Sequence, residues 1–337
     1  MNWFEELTGF PEPDYATVRK RLAIDGHELV VRGSSRRYGI GELELVSLGE
    51  LRERAVGPGG GPGRARVRIV KGEVRQMHRQ PQYAGALFQV ASQFNLLEMV
   101  SSEVTPEDGV TRYQHDGTQG PACAIAAGAA TIYRNYLVPV GDGVGQTRDR
   151  QLDGLADLGE ALSAELGEPV SRLWTMRNGY ALCTEHGLGL IGRHLQALDE
   201  AGRDALRSKL RIGMHWQVEV TDRTAPPRPK VSQAFCSALP VTYTRIPGHR
   251  WEPFARLVLE AAYEATLLAA ALHPARGGTN VVALTRLGGG AFGNDDPWID
   301  AAIERALGIA SRFDLDVHIV TRSQPSPALL ALAQAFP

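Results

Sequence analysis

A buried strand, a glycine-rich loop and a helix follow one another in VVALTRLGGGAFGNDDPWIDAAIERAL, residues Val281 to Leu307. The apolar run at its start is typical of a strand that is covered on both faces of a sheet. Pro297 marks the first turn of the helix, and DVHIV, from Asp316 to Val320, provides a further strand. This order of elements predicts an α/β fold.

The loop of this stretch has the composition of an anion-binding loop. Gly288, Gly289 and Gly290 expose backbone N–H groups without side chains in the way, which favours anionic oxygens such as those of a phosphate. Phe292 lies in the same loop, where its aromatic ring would contact a ligand if the loop folds over one. The alternative is an ordinary strand-to-helix turn with a buried Phe and a helix cap at Asp295 or Asp296.

A second loop of this kind opens DGTQGPACAIAAGAATIYRNY, residues Asp116 to Tyr136. Gly120 and Pro121 lead into small residues and a helix predicted over Ala122 to Tyr136. The small side chains let the start of this helix press close to a phosphate. Alternatively, the alanines only permit tight packing of the helix on the sheet.

Polar residues also follow the apolar strand ALFQVA, residues Ala86 to Ala91. Asn95 is the main candidate, because open α/β sheets bind ligands beyond the carboxyl ends of their strands. Its alternative role is that of a turn-forming residue that ends the strand.

The rest of the chain predicts three further parts around this core. Residues 1–56 have the pattern of an N-terminal α+β extension, and the glycine- and proline-rich residues 57–63 are typical of a linker. Residues 64–337 form the predicted core, with a mostly helical insertion at about 141–211. MHWQVEV, from Met214, and QAFCSALPVTY, from Gln233, predict neighbouring antiparallel strands, so the sheet is expected to be mixed.

Composition excludes several classes of protein. The 337 residues are 43% hydrophobic and 22% charged, which is typical of a globular protein and not of a disordered, coiled-coil or collagen-like chain. The formal net charge of -2 favours neither nucleic acid nor an anionic membrane as a partner. The 3 cysteines lack metal-ligand spacing and are too few for a disulfide framework. We therefore expect a cytoplasmic protein without metal, cofactor or membrane span.

Four motifs together resemble the macrodomain superfamily. VRIVKGEV followed by ALFQVASQFN is similar to the opening of that fold, and GPACAIAAG is similar to its first diphosphate loop. GGGAFGND resembles its second loop, especially the form found in poly(ADP-ribose) glycohydrolases. The resemblance covers roughly residues 67–136 and 233–320, and it implies a macrodomain-like three-layer core with a mixed sheet.

The resemblance also implies an ADP-ribose pocket at the carboxyl ends of the strands. Glu73 would then lie near the adenine, Asn95 would bind the distal ribose and Phe292 would lie against that ribose. The implied contacts of the two loops are made by Thr118, Gln119, Gly120, Ala122, Cys123, Gly288, Gly289, Gly290, Ala291, Gly293 and Asn294.

The acids of the known hydrolases of this superfamily are missing at the first loop, where Ala122, Cys123 and Ala124 stand instead. Breaking a glycosidic bond at the distal ribose develops positive charge on the sugar, which a carboxylate can stabilise while it activates water. The segment between Asn95 and the loop offers candidates. We expect Asp116 to be the catalytic acid, with Glu107 and Asp108 next and Asn95 as the orienting residue; the alternative is that these acids only form solvated turns.

Cys123 also suggests a thiol nucleophile, because a helix start lowers the pKa of a nearby thiol. The preferred prediction is an ADP-ribosyl glycohydrolase acting on ADP-ribose attached to a macromolecule, with nucleic acid only as a modified substrate. The alternatives are a catalytically inactive ADP-ribose reader and another enzyme that binds nucleotide phosphates.

Overall fold

The structure is a computed structural model that describes residues 1–55 and 63–337. The predicted linker, apart from Gly63, lies outside the described residues. The strands are β1 (Leu22–Asp25), β2 (Glu28–Val31), β3 (Arg37–Gly39), β4 (Glu42–Ser47), β5 (Ala65–Lys71), β6 (Leu87–Ala91), β7 (Pro139–Val140), β8 (Gly143–Val144), β9 (Trp174–Arg177), β10 (Tyr180–Cys183), β11 (Arg211–Glu219), β12 (Lys230–Cys236), β13 (Val281–Leu284) and β14 (Leu315–Thr321). The α-helices are α1 (Trp3–Thr8), α2 (Tyr15–Arg21), α3 (Leu48–Ala55), α4 (Val74–Met77), α5 (Gln119–Ala126), α6 (Gly128–Tyr136), α7 (Ala156–Leu166), α8 (Val170–Leu173), α9 (Glu185–Ala197), α10 (Glu200–Arg207), α11 (Gly248–Leu272), α12 (Asp296–Ala310) and α13 (Pro327–Ala335).

A mixed sheet forms the centre of the molecule, in the order β4-β11-β12-β6-β13-β14-β5. The pairs β4 with β11 and β11 with β12 are antiparallel, whereas the remaining four pairs are parallel. The predicted α/β fold with a mixed sheet is therefore confirmed. Because β5, β6, β12, β13 and β14 run in the same direction, their carboxyl ends meet at one edge of the sheet.

Helices cover both faces of the sheet and make three layers. In β13, Val282 and Leu284 pack towards the face that is covered by α11, α12 and α9, whereas Ala283 packs towards the face covered by α4, α5 and α6. This alternation follows from the period of two in a strand. Both faces are apolar because both are buried.

The helix predicted over Ala122 to Tyr136 is two helices, α5 and α6. Ala127 breaks them, with φ -112° and ψ 56°, and the hydroxyl of Thr221 accepts a hydrogen bond from the N–H of Gly128. A side chain at Gly128 would lie 2.9 Å from the ring of Trp3. Because Gly128 has no side chain, α1 can pack closely on the start of α6.

The N-terminal extension divides between two places. The elements α1, α2 and β1 to β3 share a small core with α5 and α6, whereas β4 is an edge strand of the central sheet. The segment YGIGELELV, residues 38–46, has the alternation of one strand, but it is divided at Gly41, which has φ +62° and leaves no room for a side chain beside the carbonyl of Trp216. The position of the domain boundary stays a prediction.

The insertion contains the helices α7 to α10 and one β-hairpin. The hairpin, β9 with β10, lies in the apolar stretch around Trp174 and turns at Asn178 and Gly179. Both turn residues have positive φ, 47° and 79°, as a two-residue type I′ turn requires. The hairpin carries Tyr180 to the carboxyl edge of the central sheet.

Candidate functional site

Three adjoining hollows lie along the carboxyl ends of the parallel strands; together we call them the strand-end cleft. The first, with a cavity volume of 230 Å³, lies over β6 and β13. The second lies beside the end of β5 and contains Glu73, and the third lies beside the end of β14. Neighbouring hollows share the lining residues Gly72, Asp116, Thr118, Gln119, Thr285, Arg286, Gly290 and Arg322. The cleft is therefore continuous and long enough for an extended ligand.

The glycine-rich loop after β13 forms one wall of this cleft. The hydroxyl of Tyr263 donates to the carbonyl of Thr285 and accepts from the N–H of Leu287, at 2.7 Å in both cases. Farther along, the side-chain amide of Asn294 donates to the carbonyl of Leu239 at 2.8 Å. The loop is thus fixed at both ends.

Glycine is required at the first position of this loop. Gly288 has φ +74°, and a side chain there would lie 2.5 Å from Ala238. Gly289 and Gly290 are exposed, and a side chain at Gly290 would meet nothing within 4 Å. The backbone of this part of the loop is therefore accessible to a ligand.

The opposite wall is the start of α5. The side chain of Gln119 accepts from the N–H of Ala91 at 2.9 Å and donates to the carbonyl of Gln89 at 2.8 Å, so it extends the ladder of β6 and fixes the helix start to the sheet. The first N–H groups of a helix have no partner within it. Gln119 and Gly120, which carry two of these N–H groups, line the same cleft as the glycine-rich loop.

The residue that the sequence analysis missed at this wall is Glu98. Its side chain is 3% exposed and lines the first hollow. Among the described residues, its Oε1 atom has no hydrogen-bond partner, and a side chain at Gly120 would lie only 2.1 Å from its Oε2 atom. The signal in the sequence is a lone acid within the apolar run FNLLEMV.

The surroundings of Glu98 are unfavourable for a charged carboxylate. Burial raises its pKa well above the usual value, the Arg134 guanidinium opposes this rise and Asp116 adds to it. The backbone N–H of Glu98 donates to the hydroxyl of Tyr113 at 2.9 Å, which fixes where the side chain starts. A buried, protonated carboxyl group is a suitable proton donor near neutral pH.

Three aromatic rings close the same end of the cleft. Tyr180, Tyr243 and Phe292 lie with ring centroids 5.1 to 5.5 Å apart and all line the first hollow. They come from the insertion, from the segment after β12 and from the glycine-rich loop. Such a group of rings provides an aromatic contact surface for a sugar or a base.

Arg322 lies between the other two hollows, on the loop after β14. Its guanidinium donates to the carbonyl of Gly117 on the opposite wall, and in the described chain it forms no ion pair with a carboxylate. Arg286, in contrast, is paired with Asp296 and Asp300. Lys71, which is exposed and lines the second hollow, also forms no ion pair with a carboxylate in the described ranges, so Arg322 and Lys71 are both available to an anion.

The structure brings most of the predicted site residues to the cleft. Asp116 lines two hollows and its Oδ1 atom accepts from the N–H of Thr118 at 2.8 Å. The carboxylate of Glu73 caps α4, where it accepts from the N–H groups of Arg75 and Gln76, and still lines the second hollow. The other predicted residues that line the cleft are Thr118, Gln119, Gly120, Ala122, Gly288, Gly289, Gly290, Ala291 and Phe292.

Asn95 lies behind the cleft lining. It is fully buried, its Nδ2 atom donates to Gln151 at 2.8 Å and its Oδ1 atom accepts from the N–H of Leu97 at 3.0 Å. The structure therefore favours its alternative role as a turn-forming residue. Gly293 and Asn294 also lie outside the lining, where they shape the glycine-rich loop.

Glu107 and Asp108 are engaged elsewhere. Glu107 accepts from the N–H of Arg148 at 2.9 Å, and Asp108 accepts from the N–H of Thr105 at 2.8 Å in a capping box. Neither lines the cleft. Their catalytic role stays a prediction that this geometry does not favour.

Cys123 does not have the environment of a nucleophile. The side chain is fully buried, and burial raises the pKa of its thiol well above the usual value. The expectation that the helix start lowers this pKa is therefore wrong, because Cys123 is the fifth residue of α5, beyond the first turn, and faces the core.

Two structural findings concern other classes of site. Within residues 1–55 and 63–337, no group of three or more His, Cys, Asp and Glu side chains could hold a metal ion. In the same two stretches, no helix has both the length and the hydropathy that a bilayer crossing requires.

The chain was compared with known proteins. No family model and no curated protein matches it. Among solved structures it resembles poly(ADP-ribose) glycohydrolase from Deinococcus radiodurans in complex with ADP-ribose, with 13% identity over 87% of this chain and 92% of that chain and a TM-score of 0.44. It also resembles poly(ADP-ribose) glycohydrolase from Thermomonospora curvata bound to the inhibitor ADP-HPD, with 14% identity over 95% of this chain and 94% of that chain and a TM-score of 0.43.

Proposed function

We propose that this chain binds ADP-ribose in the strand-end cleft and hydrolyses an ADP-ribosyl linkage. The observation that carries the proposal is the continuity of three hollows between the glycine-rich loop and the start of α5, with a buried carboxyl group at one end. A ligand with a diphosphate at its centre and a sugar at each end suits this arrangement. The macrodomain-like motifs of the sequence agree with it.

In the proposed complex the diphosphate lies between the start of α5 and Gly288 to Gly290, where N–H groups from both walls reach its oxygens. Arg322 adds a positive charge at the same place. The adenosine occupies the second hollow beside Glu73, and the distal ribose enters the first hollow beside Phe292. The bond to be cleaved then lies close to the carboxyl groups of Glu98 and Asp116.

This geometry supplies what hydrolysis of a glycosidic bond needs. The positive charge that develops on the sugar requires a nearby carboxyl group, and water must reach the anomeric carbon. Both carboxyl groups line the first hollow. No step of the proposed reaction requires a metal or a cofactor.

The first test is calorimetry with ADP-ribose, ADP and AMP. We expect saturable binding of ADP-ribose without added metal and weaker binding of ADP, because ADP lacks the distal ribose. Absence of binding at millimolar ADP-ribose would contradict the proposal. Tighter binding of ADP than of ADP-ribose would favour the third function, a different nucleotide-binding enzyme.

The second test is release of ADP-ribose from substrates modified on acidic side chains, serine, arginine, polymer or DNA bases. A specific observation keeps the reader function as the second candidate, since Gly120, Pro121 and Ala122 place no acid in the first turn of α5. Tight binding without release from any substrate would favour the reader.

A further inference from the structure

We propose that Glu98 is the catalytic acid of this reaction, in place of Asp116: its carboxyl group protonates the leaving atom of the acceptor and then takes a proton from the attacking water. This inference rests on the proposed function and identifies the residue that performs its chemical step. Nothing in the spacing of the sequence assigns Glu98 this role, and three observations carry it.

The first observation is that Glu98 occupies the place that a side chain on the first turn of α5 would use. A side chain at Gly120 would lie 2.1 Å from the Oε2 atom and 2.8 Å from the Cδ atom of Glu98. The first turn of α5 carries no acid, and the segment after β6 places a carboxyl group at this position instead. Leu96, with φ +64°, turns that segment back towards the cleft.

The second observation is that the protein itself leaves this carboxyl group incompletely bonded. The Oε1 atom of Glu98 is buried and has no hydrogen-bond partner among the described residues. An unsatisfied buried polar group costs free energy, so such groups need an explanation. A substrate atom or a water in the first hollow would satisfy it.

The third observation is the contrast with Asp116. That carboxylate is half-buried and already accepts a hydrogen bond from Thr118 within its own turn. Asp116 is therefore suited to stabilise positive charge on the sugar, whereas Glu98 is suited to give a proton.

The groups that face Glu98 support a protonated resting state. Burial is the main cause of its raised pKa, and the charge of Arg134 only partly opposes it. The guanidinium of Arg134 is occupied by Leu96, Thr131 and His215, so it does not form an ion pair with the carboxyl group. The titratable neighbours on the surrounding elements are Tyr113, Asp116, Cys123, Arg134 and Tyr180.

The proposed step balances. Water attacks the anomeric carbon of the distal ribose and forms the new C–O bond, while the bond to the acceptor breaks and its electron pair leaves with the acceptor. Glu98 gives its proton to the acceptor atom and recovers a proton from the attacking water. Free ADP-ribose and unmodified acceptor are released, and Glu98 is protonated as it was at the start.

The test uses the full chain, the substrate that it cleaves fastest from the panel above, and the variant Glu98→Gln. Glutamine has the same shape as the protonated acid but cannot transfer the proton. We expect turnover to fall by about 100-fold or more, with affinity for free ADP-ribose changed by less than about threefold. Glu103→Gln is the matched control, because Glu103 belongs to the same segment, pairs with Arg177 on the surface and should leave turnover unchanged.

The pH profile provides a second measurement. A general acid works in its protonated form, so turnover should decline as pH rises through the raised pKa of Glu98. In Glu98→Gln the residual turnover should lack this decline. A small carboxylate should also restore part of the activity: formate should raise the turnover of Glu98→Ala by about tenfold, because it can enter the vacated space, take a proton from the attacking water and pass it to the acceptor atom.

Two results would overturn the inference while the proposed function stands. If the turnover of Glu98→Gln stays within about fivefold of wild type, Glu98 is not the catalytic acid and Asp116 is the remaining candidate. Loss of turnover in parallel with ADP-ribose affinity and melting temperature, without rescue by formate, would mean that Glu98 is structural. A wild-type protein that binds ADP-ribose but cleaves nothing would refute both this inference and hydrolysis, whereas one that does not bind ADP-ribose would refute the proposed function itself.

Discussion

Two buried glutamates show how differently two regions of this molecule are built. Glu264, on α11, is 2% exposed and is held at 2.6 Å by both Arg52 and Arg305, which share Asp204 as a second partner. Glu98 is 3% exposed and forms no ion pair among the described residues. The cluster around Glu264 is complete within the protein, whereas the strand-end cleft leaves polar groups open. The carboxyl group of Glu98 is therefore available to a group from outside the chain, whereas that of Glu264 is not.

The largest effect is expected at the glycine-rich loop of the cleft. Gly290→Glu places a carboxylate where the phosphates are expected and should weaken ADP-ribose binding by about 100-fold or more. The melting temperature should not change, because a side chain there meets nothing within 4 Å. The matched control is Gly308→Glu, at an exposed position of α12 with equally open space. Equal binding by both variants in calorimetry would place the phosphates elsewhere.

The second-largest effect is expected at the cluster around Glu264, where a substitution should change stability but not the ligand binding of the strand-end cleft. Glu264→Gln leaves Arg52 and Arg305 without their charged, buried partner. It should lower the free energy of unfolding by roughly 2–3 kcal/mol. The loss is smaller than for a fully buried pair, because both arginines are about a quarter exposed. ADP-ribose affinity should stay the same. Urea denaturation measures the first quantity, and an unchanged midpoint would show that the cluster contributes little.

A smaller effect is expected at Arg322. Arg322→Ala removes one of the two available cations of the cleft, with Lys71 left in place, and should weaken ADP-ribose binding by about fivefold, a modest change because the guanidinium lies near solvent. Arg312→Ala is the control, since Arg312 lies over the ring of Phe313, before the start of β14 and at the other edge of the sheet. Calorimetry at two salt concentrations should show that only the Arg322 effect depends on ionic strength. An equal loss in both variants would contradict a specific role for Arg322.

The smallest effect is a pH dependence of stability. Because burial raises the pKa of Glu98 in the folded state, its stabilising contribution is present at low pH and is lost as pH rises through that raised pKa. Glu98→Gln has no proton to lose, so its melting temperature should match that of wild type near pH 4.5 and exceed it by about 2 °C or more at higher pH. A constant difference in melting temperature between the two proteins across this pH range would mean that the folded state does not raise the pKa of Glu98.

The sheet and the two loops were predictable because their signals are local. Apolar runs such as that at Val281 define strands, and glycine next to a strand end defines a loop whatever the rest of the chain does. The placement of Gly288 to Gly290 and of Gly120 at one edge then follows from the parallel direction of the strands. These parts of the site need no knowledge of long-range contacts.

Asn95 lies behind the cleft and Glu98 lies in it, contrary to the role that the sequence suggests for Asn95, for a reason that is not local. Leu96 reverses the chain after β6, which buries Asn95 against Gln151 and directs Glu98 into the cleft. Tyr180 reaches the cleft only through the β9–β10 hairpin of the insertion. Such contacts join residues far apart in sequence, so no spacing pattern reveals them.

The most direct measurement of the central claim is a crystal structure of the full chain soaked with ADP-ribose. We expect the diphosphate to lie between the start of α5 and Gly288 to Gly290, and the adenine to lie in the hollow beside Glu73. The anomeric carbon of the distal ribose should lie within reach of the Glu98 carboxyl group. ADP-ribose bound outside the strand-end cleft, or bound with its distal ribose at the Glu73 end, would contradict it.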